Sequence, residues 1–175
     1  MAGAVAERFQ PLRIAVLTVS DTRDLATDRS GAALVQRLQG AGHRLAQRRL
    51  VRDDLYRVRA EVAAWIAAPE VEAVLVTGGT GLTGRDLTPE ALRPLLDREI
   101  PGFGELFRQR SLAEIGTAAL QSRALAGVAN ATLIFALPGS TGACRTAWDQ
   151  LLAEQLDART QPCNLVTLLP RMAEH

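Results

Sequence analysis

Three apolar runs, Arg13 to Ser20, Ala73 to Thr77 and Thr132 to Leu137, each pass directly into a polar or glycine-rich turn. This recurrence constrains the chain more than any other feature of it. Each run has the length of a strand and lacks apolar/polar alternation, the pattern of a parallel strand covered on both faces. Stretches of helical period lie between them. Leu34, Val35 and Leu38 follow Asp28 as N-cap and stop at Gly40 and Gly42. Leu55, Val58, Val62, Trp65 and Ile66 form a second apolar face, closed by Pro69. Thr88 with Pro89 reads as N-cap and first-turn proline ahead of Ala91, Leu92, Leu95 and Leu96. Ala143, Ala147, Trp148, Leu151, Leu152 and Leu156 share one side of a long last helix. Leu45 to Val51 alternates, as an edge strand does. Pro101-Gly102 is read as a break, and Phe103 to Leu125 as two less regular helices. The whole predicts an α/β fold: a three-layer α/β/α sandwich on a mainly parallel sheet.

Residues 13–175 are expected to form a single domain behind a flexible tail at 1–12, since 175 residues can bury a core without staples. The charges nearly cancel, with 20 basic and 19 acidic side chains giving +1, and the basic ones are scattered, which argues against a nucleic-acid partner. Every basic residue is Arg, so Schiff-base chemistry and a phosphate-binding lysine are excluded. Cys144, Cys163, His43 and His175 have no metal-ligand spacing. Cys144 reads as a packed small residue, Trp65 as core and His43 as a surface residue at a helix stop. Without a signal-like or membrane-spanning apolar run, the chain is expected to be cytoplasmic and to have no membrane partner.

Ligands of such sheets sit at the carboxyl ends of strands, which nominates one crevice from Ser20-Asp21, Thr77-Gly78-Gly79-Thr80-Gly81 and Pro138-Gly139-Ser140. Glycines after a strand let backbone amides converge into a nest that holds phosphate oxygens without a charged side chain. The same turn is also a common way of passing from strand to helix. Asp86 can hold Mg²⁺ against phosphate, because that ion favours one or two carboxylates plus water and substrate oxygens; it can equally bond nearby amides as a loop residue. Asp53 has the same two readings, the functional one requiring that the end of strand two face the glycine turn. Arg85 is either a phosphate ligand or a solvated charge. Ser140 caps the last helix, whose N-terminal amides can take a second anion. Ser20, Asp21 and Asn130 either bond a polar ring or cap turns.

Taken together, several segments are more specific than any one motif: Val16-Leu17-Thr18-Val19-Ser20-Asp21, Asp28-Arg29-Ser30-Gly31, Thr77 to Gly81, Arg85-Asp86-Leu87-Thr88-Pro89-Glu90-Ala91, Gly102-Phe103-Gly104-Glu105, Ser122-Arg123-Ala124 and Pro138-Gly139-Ser140. Over about Arg13 to Asn164 they resemble the molybdopterin-binding family of molybdenum cofactor biosynthesis, the MoaB and Mog proteins. Gly139 to Trp148, Gln155-Leu156-Asp157 and Pro162-Cys163-Asn164 resemble the MoaB branch in particular. The resemblance implies a molybdopterin ligand, homotrimers or homohexamers, and contacts with other proteins of the pathway. It also implies an adenylyl transfer in which ATP and Mg²⁺ convert molybdopterin to its AMP-activated form with release of pyrophosphate. By motif, Asp53 and Asp86 match the catalytic acidic positions, acting through Mg²⁺, while the glycine turn and Ser140 match the phosphate cradle. The alternative is a non-catalytic molybdopterin carrier, which the MoaB branch also allows. One departure stands out: relatives often place a lysine shortly after Pro-Gly-Ser, where this chain has Gly142, with Arg145 one turn later.

Overall fold

The computed structural model describes residues 6–174. Among these, six strands form one sheet in the order β2-β1-β3-β6-β5-β4. In chain order they are β1 (Arg13–Val19), β2 (Arg44–Val51), β3 (Ala73–Thr77), β4 (Arg98–Glu99), β5 (Leu125–Ala129) and β6 (Thr132–Leu137). β1 lies parallel to both β2 and β3, and β3 parallel to β6, whereas β5 and β4 are added antiparallel at the far edge. The three apolar runs are thus the central strands, and the alternating run is an edge, as their patterns predict.

Helices α1 (Arg29–Gly40), α2 (Leu55–Ala67), α3 (Thr88–Leu92), α4 (Pro101–Ile115) and α5 (Thr141–Ala147) cover the sheet. α5 continues through a π turn at Trp148–Leu152 into α6 (Ala153–Gln155), and α7 (Leu169–Met172) comes later in the chain. Successive residues of β1 feed opposite layers. Ile14 and Val16 pack with Leu34, Leu38, Phe103, Phe107 and Trp148 from α1, α4 and the last helical segment. Ala15, Leu17 and Val19 pack with Val58, Val62, Trp65 and Leu92 from α2 and α3. Two apolar interfaces, one on each sheet face, make the three layers. Trp65 is buried, its indole N–H donating to Gln47 Oε1 at 3.0 Å.

Three expectations need correction, and one open alternative is decided. Asn130 takes the turn reading: it and Ala131, at φ 47° and 59°, form the two-residue β5–β6 hairpin turn at the amino end of β6, away from the crevice. Its side chain donates to the Ile66 carbonyl at 2.9 Å. His43 is buried, not superficial: its Nδ1 accepts from the Leu12 amide at 3.0 Å, and its ring sits between Phe9 and Trp148. Thr88 opens α3 without capping it, because its hydroxyl donates to the Gly78 carbonyl at 2.7 Å. Pro101-Gly102 starts α4 as its first residues; a 3₁₀ segment, Gly116–Gln121, takes the place of the second expected helix, and Leu125 already belongs to β5.

Of the stretch expected as a tail, residues 1–5 lie outside the described residues. In the rest, the Ala6 amide donates to the Ala158 carbonyl and Leu12 is buried. No helix among the described residues is long and apolar enough to cross a membrane.

Candidate functional site

The carboxyl ends of β1, β3 and β6 open on a crevice of about 590 Å³. Ser20 and Asp21 from the first end, Thr77 to Gly81 from the second, and Pro138, Gly139 and Ser140 from the third all line it, as do Asp53, Arg85 and Asp86. Every residue nominated from the sequence for this site, Asn130 excepted, therefore faces the same space. Three separated segments meet because parallel register aligns Thr18 with Thr77 and Thr77 with Leu137, so the turns leaving these strands emerge at one level.

The glycine turn is fixed from several sides. Gly78 donates to the Leu137 carbonyl at 3.0 Å, and its own carbonyl takes the Thr88 hydroxyl. Gly79 has φ 69°, and a Cβ there would meet Thr88 Oγ1 and lie 2.9 Å from Asp53 Oδ2, so no other residue fits without displacing a carboxylate. The amides of Gly79 and Thr80 make no hydrogen bond among the described residues. Beneath the turn Thr77 Oγ1 donates to the Pro138 carbonyl at 2.8 Å, joining two of the three strand ends.

Asp53 lies just beyond β2, with its carboxylate packed against Gly79, which is the juxtaposition its functional reading requires. It accepts one long bond, from the Leu87 amide at 3.3 Å. Burial pushes its carboxyl above the ordinary range against that bond, and the negative charges of Asp86 and Asp21 push the same way. Asp86 is held the other way. Burial raises its carboxyl too, but the Thr83 hydroxyl, the amides of Thr83 and Gly81 and the charge of Arg123 together hold it below the ordinary value. The Thr83 amide and hydroxyl reach Asp86 Oδ2 at 2.9 and 2.7 Å. Asp21 is kept low chiefly by Arg85, whose Nη2 stands 2.7 Å from Oδ2, and next by the Asp53 amide, which donates to Oδ1 at 3.1 Å.

Two carboxylates at one glycine turn suit a magnesium ion, which needs only one or two such ligands and takes the remainder from water and phosphate. Asp53 fits best, being the less bonded of the two and subject to charge repulsion that a cation would relieve. No cluster of three or more His, Cys, Asp or Glu among the described residues offers an all-protein cage.

Sequence reasoning missed the clamp on this turn. Arg123 donates to the Gly81 carbonyl at 2.8 Å and the Asp86 carbonyl at 2.7 Å and pairs with Glu90, while its amide bonds the Thr80 carbonyl. The only signal for it was Ser122-Arg123-Ala124 among the resembling segments. Asp28 was read as a helix N-cap, which it is, but its place in the crevice wall and that of Ser30 were not foreseen. Asp28 is buried; it caps α1, accepts from Thr18 and pairs with Arg48. Ser30 donates to the Gly139 carbonyl at 2.7 Å and so fixes the third strand-end turn. Phe107, Ser111, Ile115 and Ala118 add a wall from α4 and the segment after it. Ser140 caps α5 by accepting from the Ala143 amide at 3.1 Å. Cys144 is buried beside Thr77, and burial pushes its thiol up to about 11, so it is no nucleophile near neutral pH.

Comparison with known proteins identifies the family. Residues 15–158 match a family model described as "probable molybdopterin binding domain". The chain is 59% identical to molybdenum cofactor biosynthesis protein B of Escherichia coli K12 over 160 residues, covering 91% of this chain and 94% of that protein. It is 44% identical to the protein of the same name from Bacillus subtilis over 146 residues, 83% and 86% of the two chains. A crystal structure of molybdenum cofactor biosynthesis protein B superposes with TM-score 0.82 at 43% identity, covering 84% and 92%. The tungsten cofactor synthesizing protein MoaB from Pyrococcus furiosus gives TM-score 0.78 at 30% identity, covering 94% and 99%. On these grounds the chain belongs to the molybdopterin-binding family of molybdenum cofactor biosynthesis proteins, among its MoaB members.

Proposed function

We propose that the crevice binds molybdopterin and catalyses its Mg²⁺-ATP-dependent adenylylation. In that reaction a phosphate oxygen of molybdopterin bonds to the α-phosphorus of ATP. The bond between that phosphorus and the bridging oxygen to the β-phosphate breaks, and pyrophosphate leaves with the electron pair. The observation that carries the reading is the pair Asp53 and Asp86 at one glycine turn, one carboxyl pushed up and the other held down.

Bound Mg²⁺ would neutralise phosphate charge at these two carboxylates. The chain supplies the rest. The free amides of Gly79 and Thr80 hold a phosphate oxygen, Arg123 keeps those amides in place, and Arg85 exchanges Asp21 for a second anionic oxygen. The wall of Phe107, Ile115 and Ala118 covers a planar ring, with Ser111 and Gln121 as polar partners.

A second reading, a molybdopterin carrier without catalysis, is favoured by two observations. Asp86 is already occupied by Thr83, and the turn into α5 has Gly142 in a chain that offers no lysine to a phosphate. Incubation of the purified chain with molybdopterin, ATP and Mg²⁺ separates the two. Pyrophosphate release lost in Asp86→Asn supports the enzyme. Tight molybdopterin binding without pyrophosphate release, beside an active Mog control, leaves the carrier.

Self-assembly into trimers or hexamers belongs to the same proposal. Leu112 and Leu120, 54% and 80% exposed, line one apolar groove on α4 and the segment after it, which a further copy of the chain would cover. Sedimentation as a monomer at micromolar concentration would remove that part.

A further inference from the structure

The Ser20-Asp21-Thr22 turn is a partition with a cavity on each side. One is the crevice at the glycine turn. The other, about 470 Å³, has Arg23, Arg52 and Arg57 around a floor of Leu50 and Val51. Ser20, Asp21, Thr22 and Arg23 line both, so the two cavities adjoin at this turn. The partition is anchored: the Ser20 amide donates to the Val51 carbonyl at 2.9 Å, and the Asp53 amide to Asp21.

The charges in this second cavity are unbalanced. Its carboxylates are committed, Asp21 to Arg85 and Asp24 to the amide and hydroxyl of Thr27. Arg23 uses one guanidinium nitrogen on the Thr27 carbonyl. Arg52 and Arg57 pair with no carboxylate among the described residues, whereas nearby Arg48 and Arg49 pair with Asp28 and Glu61. Arg52 and Arg57 leave β2 and enter α2 on either side of the Asp53-Asp54 bend, so two separate backbone segments and the Ser20 turn bring the three arginines to one cavity. Planar forked donors of this kind match phosphate oxygens, and in a chain without lysine they are the available means of concentrating positive charge.

We propose that Arg23, Arg52 and Arg57 form a polyphosphate subsite, which takes the β- and γ-phosphates of a nucleoside triphosphate whose α-phosphate lies at the glycine turn. The identity of the nucleotide rests on the adenylylation reading; the affinity of the subsite for a diphosphate does not. Asp53 and Asp86 then stand on the α-phosphate side of the partition and the three arginines on the side by which pyrophosphate departs.

Calorimetric titration of the full chain with inorganic pyrophosphate, and separately with AMP, tests this. In Arg52→Ala/Arg57→Ala, pyrophosphate affinity should fall about tenfold or more while AMP affinity is unchanged. Pyrophosphate binding by the wild type should weaken with salt, and this dependence should flatten in the double variant. Unchanged AMP binding also shows that the variant is folded; Arg52→Lys/Arg57→Lys, which keeps charge but not the forks, should fall between. A wild-type chain that does not bind pyrophosphate, or a double variant that binds it equally well, overturns the subsite. Intact, arginine-dependent pyrophosphate binding without pyrophosphate release from ATP and molybdopterin removes the adenylylation reading and leaves the subsite standing.

Discussion

The carboxylate of Asp53 occupies the space into which a side chain at Gly79 would project. A residue following the edge strand β2 is thereby locked to a turn following the central strand β3, although β1 separates the two in the sheet. The contact couples the conformation of the glycine turn to the charge of one aspartate.

Gly79→Ala tests that coupling. The new methyl meets Thr88 Oγ1 and Asp53 Oδ2 from a backbone at φ 69°, so strain and displacement add. Stability should fall by ~2 kcal/mol and molybdopterin binding should be lost. Gly84→Ala, on a glycine with nothing within 4 Å of its added carbon, should change neither. Urea midpoints and a ligand titration read both variants; equal behaviour would show that Asp53 and Thr88 do not hold the turn.

Asp53→Asn should separate stability from function. Burial, with Asp86 and Asp21 nearby, raises this carboxyl, so the folded protein holds its proton more tightly than the unfolded chain. Its contribution to stability therefore declines as pH rises through the carboxylate range and is adverse at neutral pH. The neutral amide should add ~1 kcal/mol to stability at pH 7 and abolish any Mg²⁺-dependent turnover. A variant less stable than wild type at pH 7 would mean that the carboxylate is better satisfied than its single long bond indicates.

Much of this arrangement was legible because it depends on strand ends. Three apolar runs and the turns behind them pointed to the parallel core and one crevice, since parallel pairing leaves those turns little other place to go. What stayed hidden depends on small residues or on long-range contact. β5, Leu-Ala-Gly-Val-Ala, has little strand signature, and β4 is two exposed residues. Nothing local marks Arg123 as the clamp on Gly81 and Asp86, because its partners lie more than thirty residues away. His43 misled for the same reason: a polar residue after a helix-stopping glycine suggests a surface, and only the fold brings Leu12, Phe9 and Trp148 around it.

His43 should impose an acid limit on stability. Its Nδ1 accepts from the Leu12 amide, so protonation there removes a bond and buries a charge. Burial lowers its pKa, only partly offset by Asp157 and Glu72. With the folded value below an unfolded value of about 6.5, the folded state binds fewer protons, and stability drops as pH falls through that value. The urea midpoint should decrease from about pH 7.5 to about pH 5. His43→Asn places an acceptor near the same point without a titrating group and should flatten that decrease; an unchanged slope would assign the effect to other residues.

Gly142→Lys would put a lysine, which this chain has nowhere else, at the turn into α5. Gly142 is the second residue of α5, with no atom within 4 Å of the carbon a side chain would add, so the lysine meets no steric barrier. Replacing a helical glycine gains ~0.7 kcal/mol in propensity, and a cation in a first turn loses ~0.5 kcal/mol against the helix dipole, so stability should scarcely move. The ammonium would stand beside Ser140 and Ala143, which line the crevice, and should strengthen AMP binding about two- to fivefold at low salt. The gain should shrink at high salt and be absent in Gly142→Gln. If the lysine variant binds AMP no better than the glutamine variant, the amino end of α5 does not face the nucleotide, and the anion site ends at the glycine turn.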